Sequence, residues 1–205
     1  ALAIAREQDD TAWIARILQP LGMACLGEGD LACARTHLQE AVALALELGD
    51  ARELLAALNA LAMLHRLEHQ YATSETLYHE ALALARAQND QESVAIVLLN
   101  LCMVQLHQGT HEHAPRMLLE VIDLAVASGS HPVGRSALEV CAGLAAAQVR
   151  WPEAARLYGA AQAQMQLTGL RRDPADEAFL VPLIERARCA LGQEAFEVEA
   201  AQGAA

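Results

Sequence analysis

The sequence predicts an all-α protein: a right-handed α-solenoid of antiparallel helix pairs with a 40-residue period, closed by C-terminal capping helices. Three observations predict it. The 205 residues are 54% hydrophobic but only 3% aromatic. Ala and Leu dominate while runs of Val, Ile and Thr are scarce, which favours helix over sheet. The chain repeats itself four times without a gap, from Thr11, Ala51, Gln91 and His131. Within each repeat the apolar residues recur at three- and four-residue spacing, the mark of an amphipathic helix.

The elements follow in order. Residues 1–10, "ALAIAREQDD", read as the last turns of a preceding repeat helix, as in a piece excised from a longer protein. The repeats occupy 11–50, 51–90, 91–130 and 131–170. Their columns agree in chemistry. Leu18, Leu58, Leu98 and Leu138 form one, and Leu21, Leu61, Leu101 and Cys141 another. The next column is small: Gly22, Ala62, Cys102, Ala142. A second small column holds Ala34, Ser74, Ala114 and Ala154. Bulky Leu38, Tyr78, Leu118 and Tyr158 follow, then Ala41, Ala81, Val121 and Ala161. Each repeat is therefore two helices joined by a short turn. Small residues sit where the helices cross, because close axial approach excludes larger side chains. Gly22 is such a residue, while Gly27 and Gly29 loosen the turn before the second helix. Gly134 stands in a core column of the fourth repeat.

Residues 171–205 leave the repeat. Asp173 reads as an N-cap and Pro174 as the first helical position. Phe179, Leu180, Leu183, Ile184, Ala187 and Leu191 make an apolar stripe, with Pro182 inside it as a kink position. Gly192 reads as a stop, and a shorter helix is expected over 193–200. Together these cap the exposed core edge of the fourth repeat.

The net charge is −12, and all fourteen basic residues are Arg. So acidic a chain is poorly suited to contact nucleic acid or an anionic membrane directly. The longest stretch without Asp, Glu or Arg, Ser93 to His111, is too polar at its end to span a bilayer. The five cysteines (25, 33, 102, 141 and 189) are scattered and make no C-x-x-C pair. Buried free thiols in a reducing cytoplasm are expected. No signal-peptide pattern opens the chain.

The repeat columns resemble the tetratricopeptide family. The stretch "LGMACLGEGDLACARTHLQEAVALALELGD" (Leu21 to Asp50) carries the pattern: Leu, Gly, then twelve residues on Ala, then Leu, then Ala. The resemblance covers roughly residues 11–170, with a longer period than that family's ~34 residues. The tail, "RLYGAAQAQMQLTGLRRDPADEAFLVPLIERARCALGQEAFEVEAAQG" (Arg156 to Gly203), resembles the C-terminal end of large bacterial signalling proteins. There a tetratricopeptide-like array follows a signal-transduction ATPase, with a LuxR-type, winged-helix or cyclase output. The resemblance implies a sensor or scaffold region, with ATPase and output domains elsewhere in the full-length chain.

The residues carry little catalytic chemistry. The glycine-rich Leu21–Asp30 fails as a phosphate loop, because Glu28 stands where Lys is required. His107, His111 and His113 cluster around Gly109, but the turn between them separates ligands that a metal would need together. His65 reads as a core-edge residue. Glu40, Glu80 and Glu120 recur at one position of the second helices, as on a solvated face. No nucleophile, base and acid share a signature, so a non-enzyme without cofactor or metal is expected.

Binding is expected on the concave face that first helices line in such arrays. By column this gives Arg16, Gln19, Met23 and Leu26; Asn59, Met63 and Arg66; Ile96, Leu99, Asn100, Met103 and Leu106; and Ser136, Glu139 and Gly143. Met23, Met63 and Met103 recur every 40 residues, and Met suits adaptable apolar contact. The same column would serve equally for packing between adjacent first helices. The expected partner is a protein, a peptide or a small effector. The competing expectation is a structural module whose groove is filled by another copy or a neighbouring domain.

Overall fold

A computed structural model describes residues 1–169 and 171–205. Leu170, the last residue of the fourth predicted repeat, lies outside the described residues. The protein is all-α, an array in which successive helices pack on their neighbours. It divides into two compact units, 1–93 and 94–205.

The first unit holds α1 (Leu2–Glu7), α2 (Thr11–Glu28), α3 (Leu31–Leu48), α4 (Ala51–Leu67) and α5 (Tyr71–Ala87). The second begins within α6 (Gln91–Gln108). It continues through α7 (Ala114–Ser128), α8 (His131–Ala147), α9 (Trp151–Thr168), α10 (Pro174–Leu191) and α11 (Gln193–Ala204). First helices begin at Thr11, Ala51, Gln91 and His131, forty residues apart.

A finer period of twenty governs the turns. The left-handed backbone region is occupied at Asp9, Gly29, Gly49, His69, Asn89, Gly109, Gly129, Val149 and Gly169. Each lies one or two residues after a helix, and at the first eight the next N–H reaches back to a carbonyl five residues earlier. Asp30 to Cys25, Asp50 to Ala45 and Arg150 to Ala145 are examples. This is the Schellman closure, which satisfies carbonyls that a helix end leaves open. At Asp10, Asp30, Asp50 and Asp90 the same residue then caps the following helix, accepting from Trp13, Cys33, Glu53 and Ser93 N–H groups. One turn of two or three residues thus ends one helix and starts the next. The Ser93 hydroxyl and N–H hold the Asp90 carboxyl below its ordinary range.

The small columns sit at crossings. A Cβ at Gly22 would lie 2.5 Å from Leu38 Cδ2, so a larger residue there would require that leucine to shift. Ser74, fully buried, donates to the Ala62 carbonyl at 2.8 Å. In the first unit Leu18, Ala41 and Ala57 form one core cluster, with Ile14, Val42 and Leu44 against it. Burial of a leucine such as Leu18 or Leu38 contributes about 1.5–3 kcal/mol.

Two local expectations are corrected, those for Gly27 and for the end of the last helix. Gly27 lies inside α2 and is exposed; Gly29 alone makes the turn. Helix α7 begins at Ala114, three residues later than its counterparts, because Pro115 fixes its first turn. Helix α10 runs through Pro182, whose missing N–H falls on an exposed side of the helix, where water can replace it. Helix α11 extends to Ala204 because it lies along α9 at backbone contact. A Cβ on Gly159 would meet the Ala200 carbonyl oxygen at 2.0 Å, and one on Gly203 that of Arg156 at 1.9 Å. Arg156 also pairs with Glu199 across this seam. Much of the tail pattern from Arg156 to Gly203 is therefore helix-packing chemistry.

Candidate functional site

The predicted groove residues fall into two classes. In the first unit Arg16 is exposed and pairs with Glu53 at 3.7 Å, while Gln19, Met23 and Asn59 are half-buried. Leu26, Met63 and Arg66 are buried. In the second unit Ile96 is exposed and Ser136 half-buried, but Leu99, Asn100, Met103, Leu106, Glu139 and Gly143 are buried. The methionine column is a packing column at Met63 and Met103, and only Met23 keeps partial access. At these buried positions the first-helix side chains are closed to solvent.

On α8 the cause is visible. Helix α10 lies against it, with the Phe179 ring on Gly143, where a Cβ would come within 2.8 Å. Phe179 also meets the His107 ring edge-on at 5.5 Å. Ahead of α10, Arg172 donates from Nε to Glu139 at 3.0 Å and from Nη1 to Glu177 at 2.5 Å. Burial pushes the Glu139 carboxyl up from its ordinary range, while Arg172 and Arg135 act against that rise. The C-terminal segment therefore covers the face of α8 that was expected to bind.

The clustered histidines are spread along the α6–α7 turn, and His111 is half-buried with its Nδ1 enclosed. His107 is exposed at the end of α6, and His113 precedes α7 without capping it. His65 is buried and within 2.6 Å of Gln70 Oε1, a core-edge position. A different cluster was missed. Cys25 and Cys33 are joined as a disulfide, with Cα atoms 5.9 Å apart. This corrects the expectation of five free thiols: the reversal at Gly29 folds the end of α2 onto the start of α3. His37, one turn beyond Cys33, brings a nitrogen to within 4.8 Å of both sulfurs. The spacing C-x7-C-x3-H was its signal in the sequence. Among the other cysteines, burial raises the Cys102 thiol to about 12 and that of Cys141 to about 11.

The second unit also contains a cavity of about 440 Å³ between α7, α8 and α9. Its walls are apolar: Ile122 and Val126 from α7, Ala137, Leu138 and Cys141 from α8, Leu157 from α9. A shallower pocket continues it past Leu119 and Leu144, sharing Ile122, Cys141 and Leu157. The repeat explains the space. Where earlier repeats carry Ile14, Leu54 and Val94, the fourth carries Gly134. Where they carry Leu21, Leu61 and Leu101, it carries Cys141. A Cβ at Gly134 would meet nothing within 4 Å. Two bulky columns are truncated together on one helix face, so the space between neighbouring helices stays unfilled.

One lining residue departs in the opposite direction. The column Ala15, Leu55, Ala95 is buried and apolar, and its fourth member is Arg135. Arg135 is 9% exposed, and its Nε and Nη1 are buried without a hydrogen-bond partner. This charge in an apolar column was readable in the sequence by following that column to its fourth member. Ser130, His131 and Gln164 add polar groups to the lining. No helix among the described residues is long and apolar enough to cross a membrane. No protein-family model matches the chain, and no curated protein matches it.

Proposed function

We propose that the chain is a non-catalytic binding module of the tetratricopeptide type, the sensor or regulatory region of a larger bacterial signalling protein. Its ligand enters the cavity between α7, α8 and α9 and not the first-helix face. The observation that carries this reading is the coincident loss of bulk at Gly134 and Cys141 in a repeat that keeps its other apolar columns except at Arg135. Cavities of this volume and apolar character are the usual form of small-molecule sites. Ligand binding would favour one packing of α7 against α8 and bias whatever domain the array is joined to.

Methyl-resolved NMR of the chain against a fragment library tests the reading. Shifts are expected to cluster on Ile122, Val126, Ala137 and Leu138. Shifts scattered over the surface, or confined to Met23, would overturn it.

A second reading is favoured by one observation. Leu119, Ile122 and Val126 form an exposed apolar row on α7, beside the cavity. In this reading another copy or a neighbouring domain covers that row, and the module is structural. Light scattering separates the two: a monomer that still binds fragments supports the sensor reading, and a dimer closed over α7 supports the structural one.

A further inference from the structure

From the buried guanidinium that lines the cavity, we infer that its ligand is a small apolar monocarboxylate, with its hydrocarbon part between α7 and α9 and its carboxylate on Arg135. This inference rests on the binding-module reading and names the class of ligand.

Two independent features meet here. The first is the apolar volume, which at the ~30 Å³ of a liquid water molecule corresponds to about fifteen such groups. That suits a medium-chain or aryl-alkyl acid and is small for a folded peptide segment. The second is Arg135. A buried arginine normally has its donors satisfied, because removing a charge from water without replacing its hydrogen bonds is costly. Arg135 has two such donor nitrogens, Nε and Nη1, on the wall of an apolar cavity. Nε–H and the Nη1 donors point to different sides of the planar guanidinium, so a carboxylate reaching either side meets a charged donor that has no other partner, and such charge-assisted hydrogen bonds are the strong ones.

The nearest acid does not fill this role. Glu139, one turn along α8, is engaged by Arg172, which also holds Glu177. The ion pairs on the α10 side are thus made, while these two atoms of Arg135 are not. Ser130, just before α8, and Gln164, on α9, add hydrogen-bonding groups to the cavity lining. A neutral alcohol would satisfy one donor only, and an ammonium would be repelled.

Calorimetric titration of the 205-residue chain with octanoate, octan-1-ol and octylamine tests the assignment. Octanoate is expected to bind about ten- to a hundredfold more tightly than octan-1-ol, the range for a hydrogen bond to a charged group. Octylamine is expected to bind least. Arg135→Met should abolish the preference for the acid, bringing octanoate down to the affinity of octan-1-ol. Leu55 holds the same column, so the variant is expected to fold, and its melting curve checks that directly. Arg135→Lys, which keeps the charge but loses the planar guanidinium, should retain only part of the preference. Equal binding of acid and alcohol would overturn the carboxylate assignment while leaving the cavity a ligand site. Binding of none of the three, with fragments still shifting the cavity methyls, would also overturn it. If neither the three probes nor any fragment reaches the cavity, the binding-module reading fails with it.

Discussion

Replacing Gly159 with Ala tests how the C-terminal helix is held. Helix α11 lies against α9 so closely that the new Cβ would sit 2.0 Å from the Ala200 carbonyl oxygen and 2.7 Å from its carbon. Those are backbone atoms, which cannot rotate away. Ordinary contact begins at 3.4 Å, so the helices must part by about 1.4 Å along that direction. Overpacking of this kind costs about 1–3 kcal/mol. Removing a mid-helix glycine returns about 0.5–1 kcal/mol. The net expectation is a loss of about 1–2 kcal/mol, or about 2–8 °C in Tm for a chain of this length. Hydrogen exchange should show the loss first in α11, where buried Phe196 anchors the helix. Gly134→Ala is the control. It makes the same backbone change with nothing within 4 Å, and should gain about 0.5–1 kcal/mol. A Gly159→Ala protein that melts no lower than the native chain, with α11 equally protected, would refute the close-contact account.

Other expectations follow from single features. Val149 is a β-branched residue at φ +63°, where a non-glycine residue costs about 1–2 kcal/mol, so Val149→Gly should gain about 0.5–1 kcal/mol in thermal melts. No gain would mean that the turn carries no strain. Glu139 has its carboxyl raised in the folded state by burial, so protonation favours folding. The stabilisation it gives is full below its unfolded value near ~4.3 and is lost as pH rises through its folded value. Urea unfolding of Glu139→Gln against the native chain should therefore show a difference that grows in the variant's favour as pH rises from about 4. A difference independent of pH would contradict the shift. Alkylation without reductant, read by mass spectrometry, should label exposed Cys189 quickly. Cys141 and Cys102 should follow slowly, with thiols raised to about 11 and about 12. Cys25 and Cys33 should react only after reduction, and early labelling of either would refute their pairing.

The helical array was legible because its signal repeats. Four aligned copies place Leu18, Ala34 and Ala41 in the core from chemistry alone, and all three are buried. The turns were half legible. Gly29, Gly49 and Gly129 announce a left-handed residue, but His69, Asn89 and Val149 adopt it at the same place in the repeat with no glycine to announce it. The candidate groove was not legible in the same way. Column position shows which helix face a residue occupies, but not what lies against it. The tail has no repeat register, so nothing in the sequence places Phe179 over Gly143 or Arg172 on Glu139. The cavity was written as an absence of bulk at Gly134 and Cys141. It becomes visible only when truncations in separate columns are known to face the same space.

The central claim, that the cavity between α7, α8 and α9 is where this module takes its ligand, is tested most directly by filling it. Gly134→Val with Cys141→Leu restores the residues that the third repeat carries at Val94 and Leu101. The methyl NMR titration is then repeated with the tightest fragment found for the native chain. The account predicts a variant that melts higher than the native chain and no longer shifts at Ile122, Ala137 and Leu138. Unchanged affinity in a folded, filled variant would contradict it.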